Sequence, residues 1–130
     1  MKGLGAAKDT LERQMPYFVE ICPEMGACRT ASINLQLDHA LRIENPDFTT
    51  PRIPWGGLPG ERFSFLKIAL EGPLGGSRHP AWIYIPHDSP HFYNLFQIEV
   101  ITKPIDGISY GTACQVHIPR DHRKFPLIIV

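Results

Sequence analysis

Apolar and polar side chains alternate along several stretches of this chain, and on a β-strand such alternation sends them to opposite faces. In residues 32–38, Ile33, Leu35 and Leu37 share one face while Ser32, Asn34 and Gln36 share the other. Residues 63–70 divide in the same way, with Ser64, Leu66, Ile68 and Leu70 set against Phe63, Phe65, Lys67 and Ala69. Residues 81–85, 96–102 and 112–118 read as three further strands, and residues 41–43 extend or follow the first. Glycine and proline punctuate them: a Gly-Pro-Leu-Gly-Gly turn at 72–76, a stop at Pro86, and a turn over 105–111. Ahead of the strands, Asp9 and Thr10 offer helix caps and Glu12 supports a first turn, but Pro16 interrupts the pattern. Proline suits the first helical position, so a short helix is predicted from Pro16, ended by Pro23. Residues 44–60, rich in Pro, Thr and Gly around Trp55, predict a long loop or an irregular edge. The pattern predicts a mainly β fold, a small antiparallel barrel of five or six strands with one or two short helices.

Composition narrows the class. A chain of 130 residues fits one domain, residues 1–130, with a sizeable core. Thirteen Lys plus Arg balance thirteen Asp plus Glu, so nothing favours a nucleic-acid partner, and a small molecule is the expected ligand. No apolar run approaches the roughly 18 residues of a membrane span, and the start has no signal-like apolar region, which predicts a cytoplasmic protein with no membrane partner. Three cysteines without Cys-x-x-Cys spacing argue against a disulfide framework, and Cys114 reads as a small core residue. The apolar tail over 127–130 offers a surface for a homo-oligomer.

Candidate chemistry lies in three short motifs. Gly3-Leu4-Gly5-Ala6-Ala7, followed by Lys8, would let backbone N–H groups approach a phosphate, with a cation beside them. Ser32 and Asn34 put two hard oxygen ligands on one strand face. Glu99, between Ile98 and Val100, points away from their face toward a cavity or solvent. His87 and His91 have a zinc-like spacing, but Pro90 makes a poor helix and no partner ligand is indicated. Trp55, Trp82 and Tyr84 could stack on an aromatic ligand or simply pack.

The order Gly3-Leu4-Gly5, Pro16-Tyr17, Ser32-Ile33-Asn34 and Glu99-Val100-Ile101 resembles that of the archaeal-type CTP-dependent riboflavin kinases over most of the chain. The resemblance implies a six-stranded cradle-loop barrel. It implies nucleotide binding by Gly3, Leu4, Gly5, Ala6, Ala7 and Lys8, with CTP as phosphate donor, and Mg²⁺ on Ser32 and Asn34. Glu99 would be the catalytic group near the ribityl chain, and His91 would stand where the family carries a flavin-contacting Thr. Two departures stand out: only Met1 and Lys2 precede the glycine loop, where the family has a strand, and Pro104-Ile105-Asp106-Gly107 replaces a basic nucleotide-contacting segment. A non-catalytic barrel that binds a nucleotide or flavin is the competing expectation, and a structural or interaction module the third.

Overall fold

The computed structural model describes residues 8–30, 32–41, 46–57, 59–71, 78–87, 95–105, 113–118 and 123–129. Helix α1 (Lys8–Ile21) and a short 3-10 turn (Pro23–Ala27) precede seven strands: β1 (Ser32–Leu41), β2 (Phe48–Thr49), β3 (Phe63–Glu71), β4 (Arg78–Pro86), β5 (Leu95–Thr102), β6 (Ala113–Ile118) and β7 (Arg123–Ile129). All pairings are antiparallel, in one sheet ordered β2-β3-β4-β5-β1-β7-β6. The last strand in that order, β6, also pairs with β3 over Ala69↔His117, Leu70↔Val116 and Glu71↔Gln115.

The alternation read from the sequence decides which layer each side chain joins. Leu35, Leu37, Leu66, Ile68, Leu70, Ile83, Ile98, Val100, Cys114 and Val116 form one apolar cluster. From the opposite face of β3, β4 and β5, Phe63, Phe65, Trp82, Tyr84 and Ile101 form a second with Leu11, Met15 and Phe18 of α1. Phe18 is the centre of this layer, meeting Phe63 and Phe65 edge-on at ring separations of 5.1 and 4.8 Å.

Two expectations are corrected. The helix does not begin at Pro16 but runs through it for 14 residues. An interior proline removes one backbone hydrogen bond and costs about 3 kcal/mol. Burying a large apolar side chain returns roughly 1.5–3 kcal/mol, and Leu11, Met15 and Phe18 are all buried on one stripe while Pro16 stays exposed. The stripe therefore wins. The strand pattern read from the sequence ends at residue 118, whereas a further strand, β7, follows it and pairs through its backbone with both β1 and β6; proline at 126 hid the strand pattern.

Between β2 and β3 the chain folds back on itself through an Ile53↔Glu61 bridge. Gly60 makes this approach, at φ +85, where an added Cβ would meet the Ile53 backbone at 3.2 Å. The loop is fastened to α1 by Arg13, which donates from Nη2 to the Trp55 carbonyl at 2.8 Å and lies 5.3 Å from the indole centroid. Among the described residues, no helix is long and apolar enough to cross a membrane.

Candidate functional site

Register brings together what the sequence leaves apart. In the β1–β5 ladder Asn34 lies directly opposite Glu99, and Ser32 lies opposite Ile101. Side chains paired in this way share a face about 4.5–5.5 Å apart at Cβ. Ile101 belongs to the layer under α1, so Ser32, Asn34 and Glu99 all face that side. The β4–β5 ladder pairs Trp82↔Ile101 and Ile83↔Val100. One step further along the same alternation, Tyr84 projects on the Glu99 side. The result is a polar row across three strands, with Tyr84, Glu99 and Asn34 in sequence.

Burial grades along β1: Ser32 is fully buried, Asn34 half-buried and Gln36 exposed. Asn34 Oδ1 is buried and has no hydrogen-bond partner. Such an acceptor is costly unless a donor, water or cation reaches it. Burial raises the carboxyl of Glu99 above its ordinary value. The site thus pairs an unsatisfied carbonyl oxygen with a carboxyl that holds its proton more tightly than an exposed one.

Gln14 closes the row from above. Its stripe neighbours Leu11, Met15 and Phe18 are apolar, yet it is buried and accepts the Tyr84 hydroxyl proton at Oε1, at 2.8 Å. The Tyr84 ring stacks against Phe63 at 5.5 Å and 20°. Its phenol is pushed well above its usual range, first by burial, then by the charges of Glu99 and Glu61, with the Gln14 bond acting the other way. The sequence singles out Tyr84 only as an aromatic that could stack or pack, not for its hydroxyl, and does not single out Gln14 at all. The available signal was a glutamine in the buried stripe of an otherwise amphipathic helix.

The other expected residues fall elsewhere. Gly3, Leu4, Gly5, Ala6, Ala7 and His91 lie outside the described residues, and Lys8 begins α1 with its side chain outside them. His87 Nε2 lies 2.6 Å from Ser64 Oγ, which in turn is 2.8 Å from Thr49 Oγ1, so this histidine is tied to a hydroxyl chain. Trp82 and Tyr84 are packed in the layer under α1, with Lys67 Nζ 5.5 Å from the Trp82 ring, and Trp55 is half-buried beside Arg13. Burial raises the Cys114 thiol to about 11, as befits a core residue.

For a hard cation, Asn34 Oδ1 fits as a ligand, because it is an oxygen acceptor still lacking a partner. Ser32 supplies a hydroxyl two residues away on the same face. No cluster of three or more His, Cys, Asp or Glu suited to a metal occurs among the described residues. Comparisons with protein-family models, curated proteins and solved structures find no match to this chain.

Proposed function

We propose that this chain is a Mg²⁺-dependent phosphotransferase of the CTP-dependent riboflavin kinase type, acting in the cytoplasm on riboflavin or a similar small molecule with a primary hydroxyl. The observation that carries the reading is the pairing of Asn34 with Glu99, a candidate metal ligand beside a candidate proton acceptor, contributed by two motifs 65 residues apart in sequence. The sheet in this reading is a six-stranded cradle-loop barrel, supported by the return of β6 to β3.

Asn34 and Ser32 would hold Mg²⁺, which when bound neutralises charge on the transferring phosphate. The glycine loop at 3–7 immediately precedes the first turn of α1, where backbone N–H groups favour an anion. Lys8, at the start of that helix, adds a cation. The acceptor hydroxyl oxygen bonds to the γ-phosphorus, the bond to the β-phosphate oxygen breaks, and the hydroxyl proton passes to Glu99. A carboxyl raised by burial is a stronger proton acceptor than an ordinary one once ionised. His91 would contact the substrate.

The second reading, a non-catalytic barrel that binds a nucleotide or flavin, is favoured by Asp106 in the segment where the family carries a cation. Thermal unfolding with CTP, CDP, ATP, riboflavin and FMN, each with and without Mg²⁺, tests both. A ligand at about 100 times its dissociation constant adds about 2.7 kcal/mol. Stabilisation by FMN and by a nucleotide only with Mg²⁺ supports the kinase; stabilisation independent of Mg²⁺ supports the binding barrel; no shift removes both.

A further inference from the structure

We propose that residues 52–57 and 59–61, in the connection from β2 to β3, form a lid over the Tyr84 end of the polar row, latched by Arg13 and opening as one piece to admit a small-molecule substrate. What enters rests on the phosphotransferase reading; the movement of the lid does not. The hydrogen bonds of this segment are almost all internal. Ile53 and Glu61 exchange backbone bonds at 2.8 and 3.1 Å, and the Gly57 N–H donates to the Pro54 carbonyl. Trp55 Nε1 donates to Glu61 Oε1 at 3.1 Å, and Arg52 Nη1 to the Gly60 carbonyl at 3.3 Å. Bonds of this kind travel with the segment, so a rigid swing breaks none of them.

The fastenings to the rest of the chain are few. Among the described residues, the one outward hydrogen bond of the segment comes from Arg13, which reaches both the Trp55 carbonyl and the indole. Ile53 and Trp55 are the side chains it sets into the layer under α1, while Arg52, Pro54, Gly56, Gly57 and Pro59 are exposed. On either side the chain is tied to its neighbours: Thr50 N–H donates to the Phe63 carbonyl, Phe63 N–H to Thr50 Oγ1, and His87 N–H to the Arg62 carbonyl. Rotation is left to the junctions at 51–52 and 61–62, short hinges of the kind that carry lids. Beneath lies the row. Arg13 directly precedes Gln14, so latch and roof are neighbours on α1. Ile53 belongs to the same cluster as Tyr84 and Phe63, and the charge of Glu61 is felt at the Tyr84 phenol. An exposed guanidinium contact is weak enough to break and re-form.

Side-chain NMR relaxation dispersion of the ligand-free chain, at the Ile53 methyls and the Trp55 indole, tests the movement, together with amide hydrogen exchange at Ile53, Gly57 and Glu61. The expected result is one exchange process shared by both side chains, with an open population about tenfold greater in Arg13→Ala. The three amides keep their wild-type protection, because their bonds move with the lid. Nitration by tetranitromethane reads the cover: Tyr84 reacts faster in Arg13→Ala by a similar factor, while Tyr17, already exposed, is unchanged. Should Arg13→Ala disturb the fold, Arg13→Lys, which keeps the charge but not the planar guanidinium, takes its place with a smaller rise. No shared exchange, exchange indifferent to the Arg13 variants, amide protection lost in step with opening, or unmoved Tyr84 nitration would each overturn the lid. Opening in a chain that transfers no phosphate supports the lid and removes only the substrate named for it.

Discussion

Replacing Tyr84 by Phe removes one oxygen and keeps the ring that packs on Phe63, Phe65 and Phe18. Its cost should therefore come almost wholly from Gln14, whose Oε1 loses its 2.8 Å hydrogen bond in a side chain only 1% exposed. A buried acceptor left without a partner costs about 1–3 kcal/mol. For a domain of this size about 3–4 °C of melting temperature corresponds to 1 kcal/mol, so Tyr84→Phe should melt roughly 3–12 °C lower. Removing both partners with similar shapes is close to neutral, so Tyr84→Phe combined with Gln14→Met should recover most of the loss. Denaturant unfolding of the wild type, both single variants and the double variant forms the cycle. A double variant as unstable as the sum of the singles would show that the two side chains do not interact, and would remove Gln14 as the roof of the polar row.

Three more outcomes follow from the same geometry. Glu99 has a raised folded-state value, so the folded protein binds more protons than the unfolded chain above about pH 4.5. Wild-type stability should then fall as pH rises from there through the folded value, whereas Glu99→Gln should lack this loss and be the more stable protein at pH 7; parallel pH curves would contradict the assignment. Gly60→Ala places a Cβ against the Ile53 backbone at a positive φ, so a loss of about 1 kcal/mol or more is expected in denaturant melts, and an unchanged midpoint would mean that this turn adopts another conformation. Cys114, with its thiol raised to about 11, should resist alkylation at pH 8 until the protein is denatured, and rapid native labelling would contradict its place in the core.

Strands with strict alternation were legible because a single register slip would turn their apolar side chains to water. Leu35, Leu37, Ile68, Leu70, Ile98 and Val100 occupy the layer that their spacing predicts. Helix α1 was not legible as a whole, since local propensity gives Pro16 a veto that tertiary burial of Leu11, Met15 and Phe18 overrules. β7 was missed because its proline and basic start carry no alternating signal, and its place depends on partners in β1 and β6. At the candidate site, the residue types at 32, 34 and 99 were readable, but their convergence was not. Which residue faces Asn34 is fixed by long-range register, and the Gln14–Tyr84 bond spans 70 residues of sequence.

The central claim is tested most directly by phosphate transfer from γ-labelled CTP to riboflavin in Mg²⁺, compared between the wild type and Asn34→Ala at equal folded fraction. The account predicts Mg²⁺-dependent formation of FMN by the wild type and its loss in Asn34→Ala, with the fold intact by circular dichroism. Turnover that Asn34→Ala leaves unchanged would contradict the metal assignment, and a folded wild type that transfers no phosphate would contradict the claim itself.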